Sequence, residues 1–415
     1  MLDPGFLFAL LSLLLLATPV ARFALRFGPR MATFGGLILA IHFCVTTLLF
    51  DVLGHARWAL VPLQIVTSVH FLSLARPRLR PRWWRLWIAG PASAFSAGSF
   101  LAIPWAIAAL LGFDPVVPWL PFVAAGIGAV RSVRLSYEDL DVVLDRTPIS
   151  ELRPVTVGAR RTPRPLRIVQ ITDPHLGTFM SVDRLRMICA RAVDRGPDLI
   201  LLTGDYLTVE SNGETDALIH ALEPLQAMPG RVFACRGNHD HEAPDRVAQA
   251  MEANGIQLLI DQAALVETGA GAVQILGIDH YWARGAPPVR RPEDGPAEPP
   301  LGRAQTFDRI CAAHPRIPGA LRLVLLHDPS AFADLPDGSV DLVLSGHTHG
   351  GQVGLLPFGL QWTFLRLFPG IPDHGFWGRG TDRLYVHRGT GHYGFPIRLG
   401  VPPEESLLRV HQVWG

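Results

Sequence analysis

Residues 342–353 read Leu-Val-Leu-Ser-Gly-His-Thr-His-Gly-Gly-Gln-Val, a short apolar run that breaks at Gly346 into His347-Thr348-His349. Two imidazoles two residues apart, delivered directly from a strand, can be aimed at neighbouring cations. The same arrangement recurs upstream. His327 follows the apolar run 321–326, Gly237-Asn238-His239-Asp240 follows 232–235, Gly204-Asp205 follows 199–203, and Asp173-Pro174-His175 follows 166–172. A single Asp or His at a strand end usually caps or turns the chain. Five such clusters behind five apolar runs instead point to loops that converge on one crevice at the carboxyl edge of a sheet.

Around these runs the pattern alternates between strand and helix. Helices are expected near residues 182–195 and 214–228, and further strands at 273–278, 384–386 and 407–410. Strands alternating with helices define a layered α/β domain. The Pro- and Gly-rich stretch 283–302 reads as a mobile surface excursion, and Gly269 with Gly271 as a turn rather than a dinucleotide loop. Residues 136–165 are polar, with Glu138, Asp139, Asp141 and Asp145 among arginines and prolines, and read as a linker holding one or two short strands.

The first 135 residues are of a different kind. Uncharged apolar runs cover 4–21, 31–50, 58–75 and 86–113, each near or above the ~18 residues that suggest a membrane-spanning helix. A fifth run, 116–130, carries Pro118 and Pro121 and reads as either a short span or a re-entrant segment. Arg22, Arg26 and Arg30 fill the first connection, five arginines from Arg76 to Arg85 the third, and Arg131 and Arg134 follow the fifth run. By the positive-inside rule these connections face the cytoplasm, and five spans put the C-terminal domain there too. The start of the chain lacks the basic region of a cleaved signal peptide. His42, Gln64 and His70 lie within the runs and are expected to hydrogen-bond between helices.

Composition removes several alternatives. The 415 residues carry a formal charge of +1 with no long basic run, so no nucleic-acid partner is expected. The chain has no lysine, which excludes Schiff-base chemistry and the lysine-containing phosphate loop. Cys44, Cys189, Cys235 and Cys311 show no C-x-x-C spacing, so neither a disulfide framework nor a thiolate metal site is indicated. Carboxylates and imidazoles without thiolates suit manganese, iron or zinc. Two such ions side by side acidify water and neutralise phosphoryl oxygens, which favours hydrolysis of phosphate esters.

The ordered set D-x-H, GD, GNHD, H, GHTH resembles that of the calcineurin-like metallophosphoesterases, over residues 166–413. Beyond the transmembrane region (1–135) and the linker (136–165) read above, the resemblance implies that residues 166–415 form a four-layer α/β/β/α sandwich of two mixed sheets. The resemblance further implies that Asp173, His175 and His349 bind one metal ion, that Asn238, His327 and His347 bind a second, and that Asp205 bridges the two. His239 then protonates the leaving oxygen, Asp240 orients its ring, and a hydroxide between the metals attacks phosphorus. The extended GHTHGGQV ending, with Pro396-Ile397-Arg398, is similar to a bacterial branch often attached to membrane spans, whose members include phosphodiesterases and hydrolases of lipid-linked pyrophosphates. Pro174, His387 and His392 depart from that branch without touching a ligand position, and His241, His280, His374, His387 and His392 are expected in surface or core roles. His392 or Arg388 is a candidate for the mouth of the site. The competing readings are a catalytically silent metal-binding sensor or scaffold at the membrane, and a transporter regulated by the soluble domain.

Overall fold

The strand sequences are apolar on consecutive positions because both faces of each sheet are covered. The computed structural model describes residues 3–156, 162–214, 216–282, 301–392 and 394–412. One sheet takes the order β1 (Ser136–Leu144), β13 (Glu404–Gln412), β3 (Leu166–Ile171), β4 (Leu199–Leu202), β5 (Val232–Ala234), β6 (Gln257–Leu258). The other runs β2 (Ile149–Pro154), β11 (Gly375–Gly380), β12 (Asp382–Val386), β10 (Leu342–Ser345), β9 (Leu321–Leu326), β8 (Gly271–Ile278), β7 (Gln262–Thr268). Both are mixed: β3 to β6 are parallel with β13 antiparallel to β3, and β8, β9, β10 and β12 are parallel with β7 and β11 antiparallel.

Alternation along each strand sorts its side chains into separate cores. Leu199 and Leu201 meet Leu321, Leu323 and Leu325 between the sheets. Ile200 and Leu202 pack outward against helices α8 (Val182–Asp194), α9 (Ala217–Leu222) and α10 (Pro244–Ala253). Val324 and Leu326 pack on the opposite outer face, under α11 (Arg303–Ala313). The four layers expected from the sequence are therefore present. Within α8, Ser181 caps the amino end by accepting from the Arg184 N–H, and Leu185, Ile188, Cys189 and Ala192 form its buried stripe.

The segment read as a linker is built into this sandwich. Its β1 pairs parallel with β13, and its β2 pairs antiparallel with β11. Charged residues that suggested a linker are paired instead: Arg409 Nε lies 2.9 Å from Asp141, and Arg195 engages Asp139. The expected excursion at 283–302 falls almost wholly outside the described residues.

The N-terminal runs form helices α1 (Pro4–Phe27), α2 (Pro29–Phe50), α3 (Leu60–Leu74), a turn α4 (Arg82–Trp84) continuing into a π-helical stretch, α5 (Gly90–Leu101), α6 (Ile103–Leu110) and α7 (Leu120–Arg131). Among the described residues α1 alone is long and apolar enough to cross a bilayer, and the run 86–113 is bent by 51° between α5 and α6. Pro104 and Pro121 each start a new helix, which is why two of the five runs do not give one straight span. His42 is held between helices by Gln64 at 3.1 Å and Ser99 at 2.7 Å.

Candidate metal centre

The five strand ends deliver their polar residues to one place. Asp173, His175 and His349 offer ligand atoms within 4.8 Å of one another, and Asp205, His327 and His347 do the same. Asp205 links the two groups, its Oδ2 lying 3.6 Å from His175 Nε2 and 3.2 Å from His327 Nε2. Asp173 Oδ1 faces the same space, 3.5 Å from His349 Nε2 and 4.0 Å from His327 Nε2.

The backbone is bent out of shape to do this. Asp173, His175, Asp205, His347 and His349 all have positive φ, five of the nine non-glycine residues that do so among those described. Such conformations cost free energy and persist only where the surroundings enforce them. Here the loops enforce one another: Asp173 N–H donates to Gly204 O, His175 N–H to Asp205 O, and Gly346 N–H to His327 O. Two motif glycines are fixed by space rather than by φ. A Cβ at Gly237 would strike the Asp205 carboxylate, and one at Gly346 the carboxylate of Asp173.

Hydrogen bonds leave the inward-facing atoms available. Thr172 Oγ1 donates to Asp173 Oδ2 at 2.7 Å, and the His347 N–H is shared between Oδ2 at 3.0 Å and Oδ1 at 3.1 Å, which fixes the carboxylate with Oδ1 toward the histidines. His327 Nδ1 lies 2.7 Å from Thr203 O, and His175 Nδ1 lies 3.4 Å from Leu207 O, which orients both Nε2 atoms inward. Two observations fit cations at this position. His347 Nδ1 and His327 Nε2 face each other at 3.2 Å, and Asn238 Oδ1 is buried with no hydrogen-bond partner. Burial alone would raise the Asp205 carboxyl, yet His327, His175 and His239 hold it well below the usual carboxylate range. Burial opposes charge on His327, but Asp205 and Asp173 outweigh it and push its pKa up to about 10.

Asp240 has a different role from the one expected. It is buried, and its two oxygens accept the N–H groups of Asp205, Tyr206 and Gly237 at 2.7 to 2.9 Å, tying the GD loop to the GNHD loop. The carboxylate on the His239 ring is that of Glu242, 2.7 Å from Nδ1. The local 3₁₀ turn brings the residue three positions on, rather than the adjacent one, under the ring. Burial works against protonation of His239, but Glu242 and Asp205 outweigh it and raise the pKa.

Of the mouth candidates, Arg388 is committed to Glu404 at 2.8 Å and to Glu138 at 2.5 Å. His392 packs on Phe179, with both ring nitrogens buried and unpartnered. His280, expected to be structural, has its ring 6.3 Å from that of His347 and a buried, unpartnered Nε2. Arg398 is buried, donates to His349 O at 2.8 Å and sits 3.0 Å from His349 Nδ1. Glu242, His280 and the contact made by Arg398 carried no sequence signal, because each depends on the packing of loops distant in the chain.

A sandwich of two mixed sheets with clustered carboxylates and imidazoles at the strand ends, together with its similarity to known phosphoesterases, identifies a metal-dependent phosphoric ester hydrolase. Residues 166–351 match the calcineurin-like phosphoesterases, and the C-terminal domain belongs to that family. Among curated proteins the chain is 29% identical over 255 residues to Phosphodiesterase YaeI of Escherichia coli, covering 59% of this chain and 82% of that one. It is 29% identical over 262 residues to a Transmembrane protein with metallophosphoesterase domain of Danio rerio, covering 60% and 53%. It is 26% identical over 300 residues to UDP-2,3-diacylglucosamine pyrophosphatase LpxG of Chlamydia trachomatis, covering 59% and 83%.

Proposed function

We propose that this chain is a membrane-anchored, dinuclear phosphoesterase that cleaves a phosphodiester or pyrophosphate bond, with a lipid-linked substrate as the favoured class. The two ligand groups joined through Asp205 carry this reading. Asp173, His175 and His349 would hold one ion, Asn238, His327 and His347 the other, and Asp205 would bridge. Bound there, a pair of cations supplies charge neutralisation on the phosphoryl oxygens and an acidified water as nucleophile. His239, whose pKa Glu242 raises, would donate a proton to the leaving oxygen. Asp240 would keep the bridging loop in register through its three backbone hydrogen bonds.

Anchoring is supported by the outward faces of the N-terminal helices. Leu14 is 63% exposed, Trp87 74% and Leu110 69%, within a surface far more apolar than water-exposed protein normally presents. The arginine-rich connection touches the catalytic domain, with Leu79 N–H donating to Glu214 at 3.1 Å, and α7 meets the domain through Gly128, close to Arg131. This favours a cytoplasmic catalytic domain. The relative named as a lipid-sugar pyrophosphatase makes a lipid-linked pyrophosphate the first substrate to try.

The test is manganese-dependent hydrolysis of a generic aryl phosphodiester by the full chain in detergent, comparing wild type with Asp205→Asn. The expected loss is at least on the order of 10²-fold, since disturbing even an outer partner of a metal site typically costs ~10–100-fold. Equal rates would reject the assignment in favour of a silent scaffold.

A further inference from the structure

Directly after the GHTH turn the chain makes an excursion from Leu355 to Phe368 that is unlike the rest of the domain surface. Phe358 is 78% exposed and Leu367 59%, and Leu360, Trp362, Phe364 and Phe368 are also exposed. Elsewhere in the described part of the domain, large exposed apolar side chains such as Met187, Leu265, Trp282 and Ile317 are scattered through the sequence, which is ordinary. The one charge in the excursion, Arg366, is neutralised by Asp373 at 3.1 Å and lies over the Trp377 ring. A concentrated, uncharged apolar patch of this kind marks a contact surface.

Its base is tied to both the metal centre and the N-terminal helices. Asp373 accepts from Thr363 Oγ1 at 2.7 Å through its carboxylate and from Thr348 Oγ1 at 2.6 Å through its backbone carbonyl, and Thr348 stands between His347 and His349. Residues 352–354 pair with Leu399 and Gly400. The segment just before that pair is seated on the helices: the Phe395 ring packs against that of Phe100 at 4.6 Å, tilted by 38°, and Gly128 is closed over by Pro396 and Ile397 so tightly that a Cβ would lie 2.9 Å from Pro396 O. The apolar excursion thus shares one ribbon with the residues that dock on the proposed membrane anchor.

We propose that the 355–368 excursion inserts into the interfacial zone of the bilayer beside the anchor, and so holds the mouth of the metal centre against the lipid headgroups. The occupant is the lipid surface, because the patch continues from helices whose own exposed faces are apolar. Trp362 and the phenylalanines are side chains suited to that zone. The arginine-rich 76–85 connection abuts the catalytic domain through Leu79 N–H and Glu214, where its arginines would meet anionic headgroups. The proposal rests on the membrane-anchored reading given above.

The experiment uses the full chain in vesicles of phosphatidylcholine and phosphatidylglycerol, in a background of Cys44→Ala and Cys311→Ala, since Cys189 and Cys235 are buried. A polarity-sensitive fluorophore is attached at Phe358→Cys, with Leu14→Cys reporting on the anchor and Leu265→Cys on the far sheet edge. Retained hydrolysis of a soluble aryl phosphodiester shows that each labelled protein is folded. The label at 358 is expected to emit to the blue, to lose quenching by aqueous iodide and to be quenched by spin-labelled acyl chains, as at 14 and opposite to 265. Iodide quenching at 358 with lipid quenching at 14 would overturn this proposal and leave the anchor standing. Iodide quenching at 14 would overturn the anchor and this proposal together. Protection of 358 from both quenchers would mean that protein, such as a second copy of the chain, covers the patch, and would overturn the lipid assignment.

Discussion

Asp205 is the side chain on which both halves of the centre depend, and its surroundings show why a neighbour of the expected partner does the orienting. Sequence order put Asp240 beside His239; the chain instead spends Asp240 on three backbone N–H groups and brings Glu242 to the ring. His239→Ala is expected to lower turnover on the order of 10²-fold with the metal content unchanged. Glu242→Gln removes the interaction that raises the His239 pKa, so the basic limb of the kcat profile should move to lower pH; a profile identical to wild type would remove Glu242 from this role. His327 supplies a second pH effect. With its pKa pushed up to about 10 in the metal-free chain, it holds a proton at neutral pH that a cation must displace. Metal affinity should therefore rise with pH towards that value. Calorimetry in buffers of different ionisation heat should detect proton release at neutral pH, and none would be seen if His327 were already neutral.

At the scale of elements, the sequence declared what is buried on two faces and concealed what is not. The runs that became β3, β4, β5, β9 and β10 are continuous apolar stretches ending in ligand-type residues, and all five were legible, together with the site they converge on. Strands at or next to the sheet edges were less so. β7 alternates half-buried and exposed positions, β11 carries glycines at 375, 378 and 380, and β1 is acidic because its carboxylates pair with Arg409 and Arg195 across the structure. Pairing with a distant strand leaves little local signal. The motif glycines Gly237 and Gly346 lie directly against the carboxylates of Asp205 and Asp173, where a side chain has no room. Gly346→Ala should accordingly displace Asp173, lower metal content and reduce thermal stability, measured by elemental analysis and calorimetry. Full metal occupancy in that variant would show the contact to be slack.

For the whole molecule, the N-terminal apolar runs were legible as helices, but their lengths were not. Among the described residues α1 is the single full-length candidate; Pro104 restarts the helix at α6, so that α5 and α6 form a bent pair, and Pro121 lies at the start of the short α7. Helix geometry, unlike hydropathy, depends on where each proline falls. The proposed cytoplasmic side of the catalytic domain rests on the arginine-rich connection that abuts it. A reporter active only in the cytoplasm, fused after Gly415, should be active, whereas activity only of a periplasmic reporter would invert the topology. On the proposed reading, seven side chains from five loops hold two cations around one carboxylate. The most direct test is the metal-to-protein ratio of active full chain, measured by mass spectrometry for wild type and Asp205→Asn. The account predicts about two transition-metal ions per wild-type chain and loss of both metal and hydrolysis in the variant. Full activity with no bound transition metal would contradict it.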